Sequence, residues 1–141
     1  MKYLGLDLGT KTLGVSISDR TGIIASFYDS FRYSDEDELI SKIKDIVENE
    51  NVDIIVLGLP VNMDGSHGFR AQETLDFKKK LENYVDKEIV LQDERLSTKV
   101  ATDVLIKADM SREKRKGVID GVSAVVILQT YLDRKDNDYD R

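Results

Sequence analysis

Three segments of the sequence carry a carboxylate where the surrounding pattern favours apolar or small residues. Asp7 interrupts the apolar run "YLGLDLG", and Asp93 and Glu94 directly follow the strand-like run "EIVLQ". Asp120 lies in "GVIDGVSAVV", among small residues at helical spacing. An ionised carboxylate in apolar surroundings is costly unless it is paired, and charges that break a local pattern tend to be functional. These acids are therefore candidate catalytic residues.

Carboxylates at the end of a sheet suit Mg²⁺ or Mn²⁺, which are hard ions that take oxygen ligands. Two such ions about 4 Å apart can stabilise both the attacking and the leaving oxygen in phosphodiester hydrolysis. Neither cysteine nor histidine is needed; the chain has no cysteine, and its single histidine, His67, is interpreted as an ordinary loop residue. Consecutive strand residues point to opposite faces, so only one of Asp93 and Glu94 can share a site with Asp7.

Each acid also has a purely structural interpretation. Asp7 could hydrogen-bond the turn that follows it, and the acids at 93 and 94 could be surface charges neutralised by Arg95. Asp120 could simply be an acid in the first turn of a helix, where the helix dipole favours it. For Asp120 taken alone this last interpretation ranks first, so the case for catalysis depends on the three segments together.

The pattern around these acids predicts the elements that position them. Alternation of apolar and polar residues indicates strands at 2–8 and 13–18, with a third strand at 23–31, which together form an antiparallel meander. Short apolar runs at 53–59 and 88–92 are typical of buried parallel strands. Helices are predicted at 35–50 with Ser34 as N-cap, at 69–85, at 97–108 and at 117–132, and residues 109–116 are predicted to connect the last two.

This element order predicts an α/β fold with a mixed five-stranded sheet, three strands antiparallel and two parallel, flanked by helices. At 141 residues the chain is long enough for one domain and too short for two. We predict a single domain over residues 1–133 and a disordered tail over 134–141. The strand face that carries Gly5 and Asp7 is expected to be open, with small residues around Asp7 that leave space for metal and phosphate.

Charge is unevenly distributed along the chain. The formal net charge is −6, yet residues 95–117 carry seven basic and three acidic side chains. This asymmetry is compatible with a local nucleic-acid surface on an acidic protein, and a solvated charged face is about equally compatible. The candidate contacts to a nucleic-acid backbone are Lys11, Arg95, Arg112, Lys114, Arg115 and Lys116. Candidate phosphate-binding loop residues are Gly9, Thr10, Asp64, Gly65 and Ser66, although the loop at 58–68 is equally well interpreted as a plain turn.

Four motifs in this order resemble the YqgF family, also called RuvX, of Holliday-junction resolvases and pre-16S ribosomal RNA nucleases. They are "GLDLGTKTLGVSISD", "GLPVNMDGSHG", "DERLST" and "KGVIDGVSAVVILQTYL", and they span nearly the whole chain. The resemblance implies the ribonuclease H-like fold and a nuclease that matures the 5′ end of pre-16S rRNA. A Holliday-junction resolvase is the alternative.

The resemblance further implies that Asp7 and Asp120 are metal-binding catalytic acids and that Glu94 is the third, with Asp93 as its alternative. RuvC-type enzymes carry an acid just after the strand that corresponds to 53–59, where this chain has Leu59 and Pro60. Two departures from the family pattern are small: Thr12 stands where the family often has arginine, and Ser123 where it often has alanine. The expected cofactor is Mg²⁺ or Mn²⁺, with two ions bound.

Two other functions compete with the nuclease. The Asp-x-Gly-Thr hairpin also resembles the phosphate loop of actin-like ATPases and sugar kinases, but the chain has room for only one of their two domains. A degenerate domain that binds RNA or the ribosome without cleaving is the non-enzymatic alternative.

The expected partners are structured RNA or branched DNA, together with ribosomal or processing factors. The protein is expected to be a monomer or a homodimer, because a symmetric resolvase needs two active sites. The absence of cysteine, of a secretory segment and of a membrane-length apolar run predicts a cytoplasmic protein without membrane contact.

Overall fold

The computed structural model describes residues 1–62, 64–94 and 112–139, and in the last of these segments the side chains of residues 122–135. The strands are β1 (Tyr3–Leu8), β2 (Thr12–Ser18), β3 (Ala25–Arg32), β4 (Ile54–Leu59) and β5 (Glu88–Asp93), and the helices are α1 (Glu36–Asn49), α2 (Phe69–Glu82) and α3 (Arg112–Tyr139). The helix predicted at 97–108 lies outside the described residues.

The five strands form one sheet in the order β3-β2-β1-β4-β5. The pairs β1–β2 and β2–β3 are antiparallel, while β1–β4 and β4–β5 are parallel. This is the mixed sheet that the sequence predicts, so the predicted fold class is confirmed. Because β1, β4 and β5 run in the same direction, their carboxyl ends lie at one edge of the sheet.

Two apolar layers cover the sheet. On one face, leucine, isoleucine and valine side chains of the strands pack with the buried sides of α1 and α2, including Ile43 and Phe77. On the other face, Tyr3 and Val56 pack against Ile127, Leu128 and Leu132 of α3. The alternation of β1 decides this division, since Leu4, Leu6 and Leu8 point to α1 and α2, while Tyr3, Gly5 and Asp7 lie on the α3 face.

Several helix ends differ from the sequence prediction. Asp35, not Ser34, is the N-cap of α1, and its side chain accepts a hydrogen bond from the Asp37 amide. Helix α2 ends at Glu82. Helix α3 extends from Arg112 to Tyr139, beyond both ends of the predicted 117–132. Arg112 is therefore part of a helix and not of the predicted connection. None of the helices in the described part of the chain is long and apolar enough to span a membrane.

The expected open space above Gly5 is filled by α3, and this part of the prediction is wrong. A Cβ atom at Gly5 would lie 2.8 Å from Leu128 Cβ and 3.2 Å from the Ala124 carbonyl oxygen, and it would collide with Ser16 Oγ. The Ser16 hydroxyl donates a 2.7 Å hydrogen bond to the same carbonyl oxygen. Gly5 and Ser16 therefore allow the helix to approach the sheet closely, and space for a ligand can begin only nearer the end of β1.

We expect Gly5→Ala to destabilise the protein by about 3 kcal/mol, because an added methyl in a filled core forces backbone or side chains to move. Chemical denaturation followed by circular dichroism measures this change. Gly68→Ala is the matched control. A Cβ atom at Gly68 would meet the side chain of Asn62, whose nitrogen would lie 3.2 Å away, and not the packed core. Equal stability of the two variants would contradict the close packing of α3 on Gly5.

Candidate active site

The candidate site lies at the sheet edge where β1, β4 and β5 end. Asp7 is the next-to-last residue of β1, and Glu94 directly follows β5. The Glu94 amide continues the ladder by donating a 3.1 Å hydrogen bond to the Leu59 carbonyl of β4. The backbone of Glu94 is thus held by the sheet, although Glu94 lies one residue beyond the end of β5.

Glu94 and Asp7 lie on the same face of the sheet and interact directly. Gly58 of β4 lies between their strands, and a Cβ atom there would be 2.5 Å from Glu94 Oε2 and 2.6 Å from Ile127 Cδ1. The absence of a side chain at Gly58 therefore allows the Glu94 carboxyl to fold back over β4 towards Asp7. A protonated Glu94 donates a hydrogen bond to the Asp7 carboxylate.

The protonation of this pair is strongly perturbed. Burial of the carboxyl, and next the negative charge of Asp7, raise the pKa of Glu94 to about 8. The positive charge of Arg70 opposes this shift, and Asp93 adds a smaller contribution that raises the pKa further. Near neutral pH the two carboxyls therefore share one proton, because the repulsion between two adjacent carboxylates disfavours the ionisation of both.

One oxygen of the pair has no hydrogen-bond partner among the described residues. Glu94 Oε2 is buried and accepts no hydrogen bond from the part of the chain that the structure describes. A buried acceptor without a donor is costly, so an uncompensated carboxylate oxygen at a functional edge is well suited to a cation. Asp7 and Glu94 form a pair. Among the described residues, no group of three or more acidic, histidine or cysteine side chains could hold a metal ion.

Asp93 is placed differently from Glu94. Its Cα pairs with that of Leu59 in the β4–β5 ladder, one position before Glu94. The alternation of the strand puts it on the face covered by α1 and α2, away from the Asp7 face. The geometry thus brings Glu94, and not Asp93, against Asp7.

Asp120 lies in α3, and its side chain is outside the described part of the structure. The helix runs antiparallel to β1: Tyr131 packs on Tyr3 with ring centroids 5.9 Å apart, and Leu128 and Ala124 lie over Gly5. One further turn towards the N-terminus of α3 therefore brings position 120 to the end of β1 that carries Asp7.

The turn between β1 and β2 borders the acid pair. Gly9 N donates to Thr12 O at 2.7 Å, and the Tyr33 hydroxyl donates to Gly9 O at 2.8 Å. Arg70, from the first turn of α2, donates to the Leu8 carbonyl at 3.2 Å and to the Thr10 hydroxyl at 3.3 Å. Tyr33, which directly follows β3, and Arg70 of α2 therefore fix the turn, and neither is among the residues that the sequence singled out.

The 58–68 loop uses its polar groups internally. Asp64 Oδ1 accepts hydrogen bonds from Ser66 N at 2.9 Å and from Ser66 Oγ at 2.6 Å. Asn62 donates to Ser66 Oγ at 3.0 Å, and Gly65 has a positive φ of 88°. Because the Ser66 amide already has an acceptor inside the turn, the loop geometry favours the plain turn over the predicted phosphate loop.

The predicted basic contacts are only partly within the described structure. Lys11 is exposed in the β1–β2 turn, and its carbonyl accepts a 3.0 Å hydrogen bond from Tyr33 N. Arg95 lies outside the described residues. The remaining four contribute to the first turns of α3, with side chains that are not described: Arg112, Lys114, Arg115 and Lys116. Their contact with nucleic acid stays a prediction.

The sequence matches a family model over residues 1–134, and the family is described as RuvX, Holliday junction resolvase. The chain belongs to the RuvX family. A RuvX relative from Halalkalibacterium halodurans is 48% identical over 137 residues, covering 96% of this chain and 98% of that protein. One from Staphylococcus aureus strain JH9 is 50% identical over 135 residues, covering 94% and 95%. Both relatives are named "Putative pre-16S rRNA nuclease". The predicted membership in a family of nucleases is confirmed.

Solved structures of two resolvases share the RuvX fold. The Thermus thermophilus RuvC in complex with a Holliday junction substrate has a TM-score of 0.60 at 8% identity, covering 97% of this chain and 96% of that chain. The fowlpox virus resolvase with Holliday junction DNA has a TM-score of 0.59 at 14% identity, covering 95% and 98%. At these identities the likeness shows the ribonuclease H-like fold, which the motifs had implied.

Proposed function

We propose that this protein is a divalent-metal-dependent endonuclease that hydrolyses phosphodiester bonds in structured RNA at the 5′ end of pre-16S rRNA. The observation that carries the proposal is the Asp7–Glu94 pair at the carboxyl edge of the sheet. The pair shares a proton, and Glu94 Oε2 has no hydrogen-bond partner among the residues that the structure describes. A function in ribosomal RNA maturation would also place the protein in the cytoplasm.

The pair fits a divalent cation in charge and in donor type. Two carboxyls that repel each other gain most from a cation placed between them, because it replaces the shared proton and restores both negative charges. Carboxylate oxygens are preferred by Mg²⁺ and Mn²⁺, and the described part of the site contains no sulfur or imidazole that would select a softer ion. Asp7 and Glu94 would therefore hold the metal, and two ions are proposed.

The bound metal would activate a water molecule and stabilise charge on the phosphate oxygens. The protein itself positions the two carboxyls that would hold the metal. The ladder hydrogen bond to Leu59 fixes the Glu94 backbone, and Gly58 fixes the direction in which its side chain turns. Asp7 is held within β1, paired with Gly14 of β2. Both carboxyls are thus placed by regular sheet structure, which gives a narrower range of positions than loops would.

We propose Asp120 as the third acid. The register of α3 on β1, with Leu128 and Ala124 over Gly5, supports this role because position 120 is one helical turn beyond Ala124 in the direction of Asp7. A helix packed this closely can bring a short aspartate side chain to the sheet edge. Asp93 remains a poorer candidate because it occupies the opposite strand face.

The choice of substrate is supported by the relatives. Two proteins about 50% identical to this chain carry the name of a pre-16S rRNA nuclease, whereas the family description and the structural neighbours name Holliday junctions. Identity near 50% over almost the full length is the stronger support, because neighbours below 15% identity share only the fold. Branched DNA is therefore the second candidate substrate.

Substrate choice is testable with the purified full chain in Mn²⁺ or Mg²⁺. We expect cleavage of a transcript that contains the precursor sequence and the 5′ end of 16S rRNA, at least tenfold faster than cleavage of a synthetic four-way DNA junction of equal concentration. Products are mapped on sequencing gels. Added EDTA is expected to abolish cleavage. Faster cleavage of the junction would overturn the RNA assignment, and undiminished cleavage in EDTA would overturn the metal-dependent mechanism.

A further inference from the structure

The position of Arg70 is not explained by the stability of its own helix. It lies in the first turn of α2, which has no acidic residue there. A cation in the first turn opposes the helix dipole and is locally unfavourable. The Gly68 N-cap also offers no side-chain hydrogen bond to the helix. A residue that violates the local preference is expected to serve a purpose elsewhere.

The contacts of Arg70 lead away from its helix and towards the acid pair. Its two terminal nitrogens donate to the Leu8 carbonyl and the Thr10 hydroxyl, at the turn that immediately follows Asp7. Its charge acts on the Glu94 carboxyl and on the Tyr33 hydroxyl. The guanidinium therefore lies at the β1–β2 turn, close enough to the Glu94 carboxyl for its charge to act on it.

The guanidinium retains capacity for a ligand. Two of its five N–H groups donate to the turn, and the residue as a whole is exposed. Thr10, whose hydroxyl receives one of these bonds, is itself exposed. A planar guanidinium that is held by two of its N–H groups, and whose other three N–H groups donate to none of the described residues, is suited to recognition of a phosphate.

We propose that Arg70, supported by Thr10, forms a phosphate subsite that holds the nucleic-acid strand beside the Asp7–Glu94 pair. The subsite binds a non-bridging phosphate oxygen of the strand whose backbone is cut, and it neutralises the charge that the acids would otherwise repel. This inference rests on the proposed nuclease function and adds a substrate-binding residue to it. It also explains how a chain of net charge −6 can admit a polyanion to an acidic site.

Two variants separate charge from hydrogen bonding at this position. Arg70→Lys retains the charge and loses the forked contacts to the turn, whereas Arg70→Gln retains hydrogen-bonding capacity and loses the charge. Arg20→Gln is the matched control, because Arg20 is an exposed arginine at the opposite end of the sheet, in the β2–β3 turn. All three are compared with the wild-type full chain.

The first readout is binding in EDTA, where no cleavage interferes, to a fluorescein-labelled transcript of the pre-16S 5′ region. A single lost phosphate contact reduces the slope of log K against log salt by about 0.7 to 0.9, and at 0.1 M salt it weakens binding by about five- to tenfold. We expect this loss for Arg70→Gln, and a slope close to wild type for Arg70→Lys and for Arg20→Gln. The thermal midpoint is recorded for every variant.

The outcomes decide the inference independently of cleavage. A wild-type slope for Arg70→Gln, equal losses for the lysine and glutamine variants, or no RNA binding by the wild type in EDTA would each overturn the subsite. Equal losses accompanied by a lowered thermal midpoint would show that Arg70 only braces the turn. Cleavage by the wild type in Mn²⁺ tests the proposed nuclease separately. Binding with the expected slopes but without cleavage would support the subsite and overturn the nuclease.

Discussion

Asp7→Asn is expected to lower the rate of RNA cleavage in Mn²⁺ by about 10³-fold, which corresponds to about 4 kcal/mol of transition-state stabilisation. The substitution keeps the size of the side chain but removes the negative charge that would hold the cation. It also leaves β1 intact, since the Asp7–Gly14 pairing is made by the backbone. The measurement is single-turnover cleavage of the pre-16S transcript at saturating protein.

Two control variants give this prediction its specificity. Asp45→Asn removes the same charge from an exposed position on α1, and we expect wild-type cleavage. Asp93→Asn removes a charge next to Glu94 on the opposite strand face, and we expect at most a several-fold loss. A loss as large for Asp93→Asn as for Asp7→Asn would transfer the ligand role to Asp93. Unchanged cleavage by Asp7→Asn would refute the proposed metal site.

The sheet and the pairing of distant acids could be predicted because they follow from short-range rules. The alternation in β1 and β2 and the apolar runs of β4 and β5 specify strand types, and the order of elements then limits the topology. Parallel strands bring their carboxyl ends together, so Asp7 and Glu94 are neighbours although 87 positions separate them. The meeting of these two acids is thus largely a consequence of topology.

Gly5 and Arg70 show what the sequence pattern does not contain. A glycine beside a candidate ligand is compatible both with space for a cation and with a closely packed helix, and only the position of Leu128 over Gly5 decides between them. Arg70 is separated by 62 positions from the carbonyl that it contacts. One local signal was present, a basic residue in a first helical turn directly after a glycine-rich loop, but its partner is determined by tertiary packing.

The ends of α3 were poorly predicted for a related reason. The small and apolar stripe that marks the buried face ends near Leu132, and the residues beyond it are mostly charged. Backbone hydrogen bonds continue a helix past its packed face, so α3 extends to Tyr139. The spacing of apolar residues predicts which part of a helix is buried, but it does not predict the residues at which the helix begins and ends.

Glu94→Gln is expected to stabilise the metal-free protein at neutral and alkaline pH. The pKa of Glu94 is about 8 in the folded protein, against an ordinary value of 4.5. The folded state therefore binds more protons than the unfolded state between these values, and stability falls as the pH rises from about 4.5 to about 8. Between pH 4.5 and pH 7 the free energy of unfolding of the wild type would fall by about 3 kcal/mol. The Glu94→Gln variant has no titrating group at this position and would not show this loss.

The measurement is urea denaturation in EDTA from pH 4.5 to pH 9, with Glu48→Gln as the control that removes an equal charge from an exposed position of α1. We expect the Glu94→Gln curve to diverge from wild type as the pH rises, and the Glu48→Gln curve to remain parallel to it. Mg²⁺ or Mn²⁺ should then stabilise the wild type more than Glu94→Gln, because the cation replaces the shared proton. Parallel curves for Glu94→Gln and wild type would show that Glu94 is not held against Asp7. This conclusion would not depend on which substrate the protein cleaves.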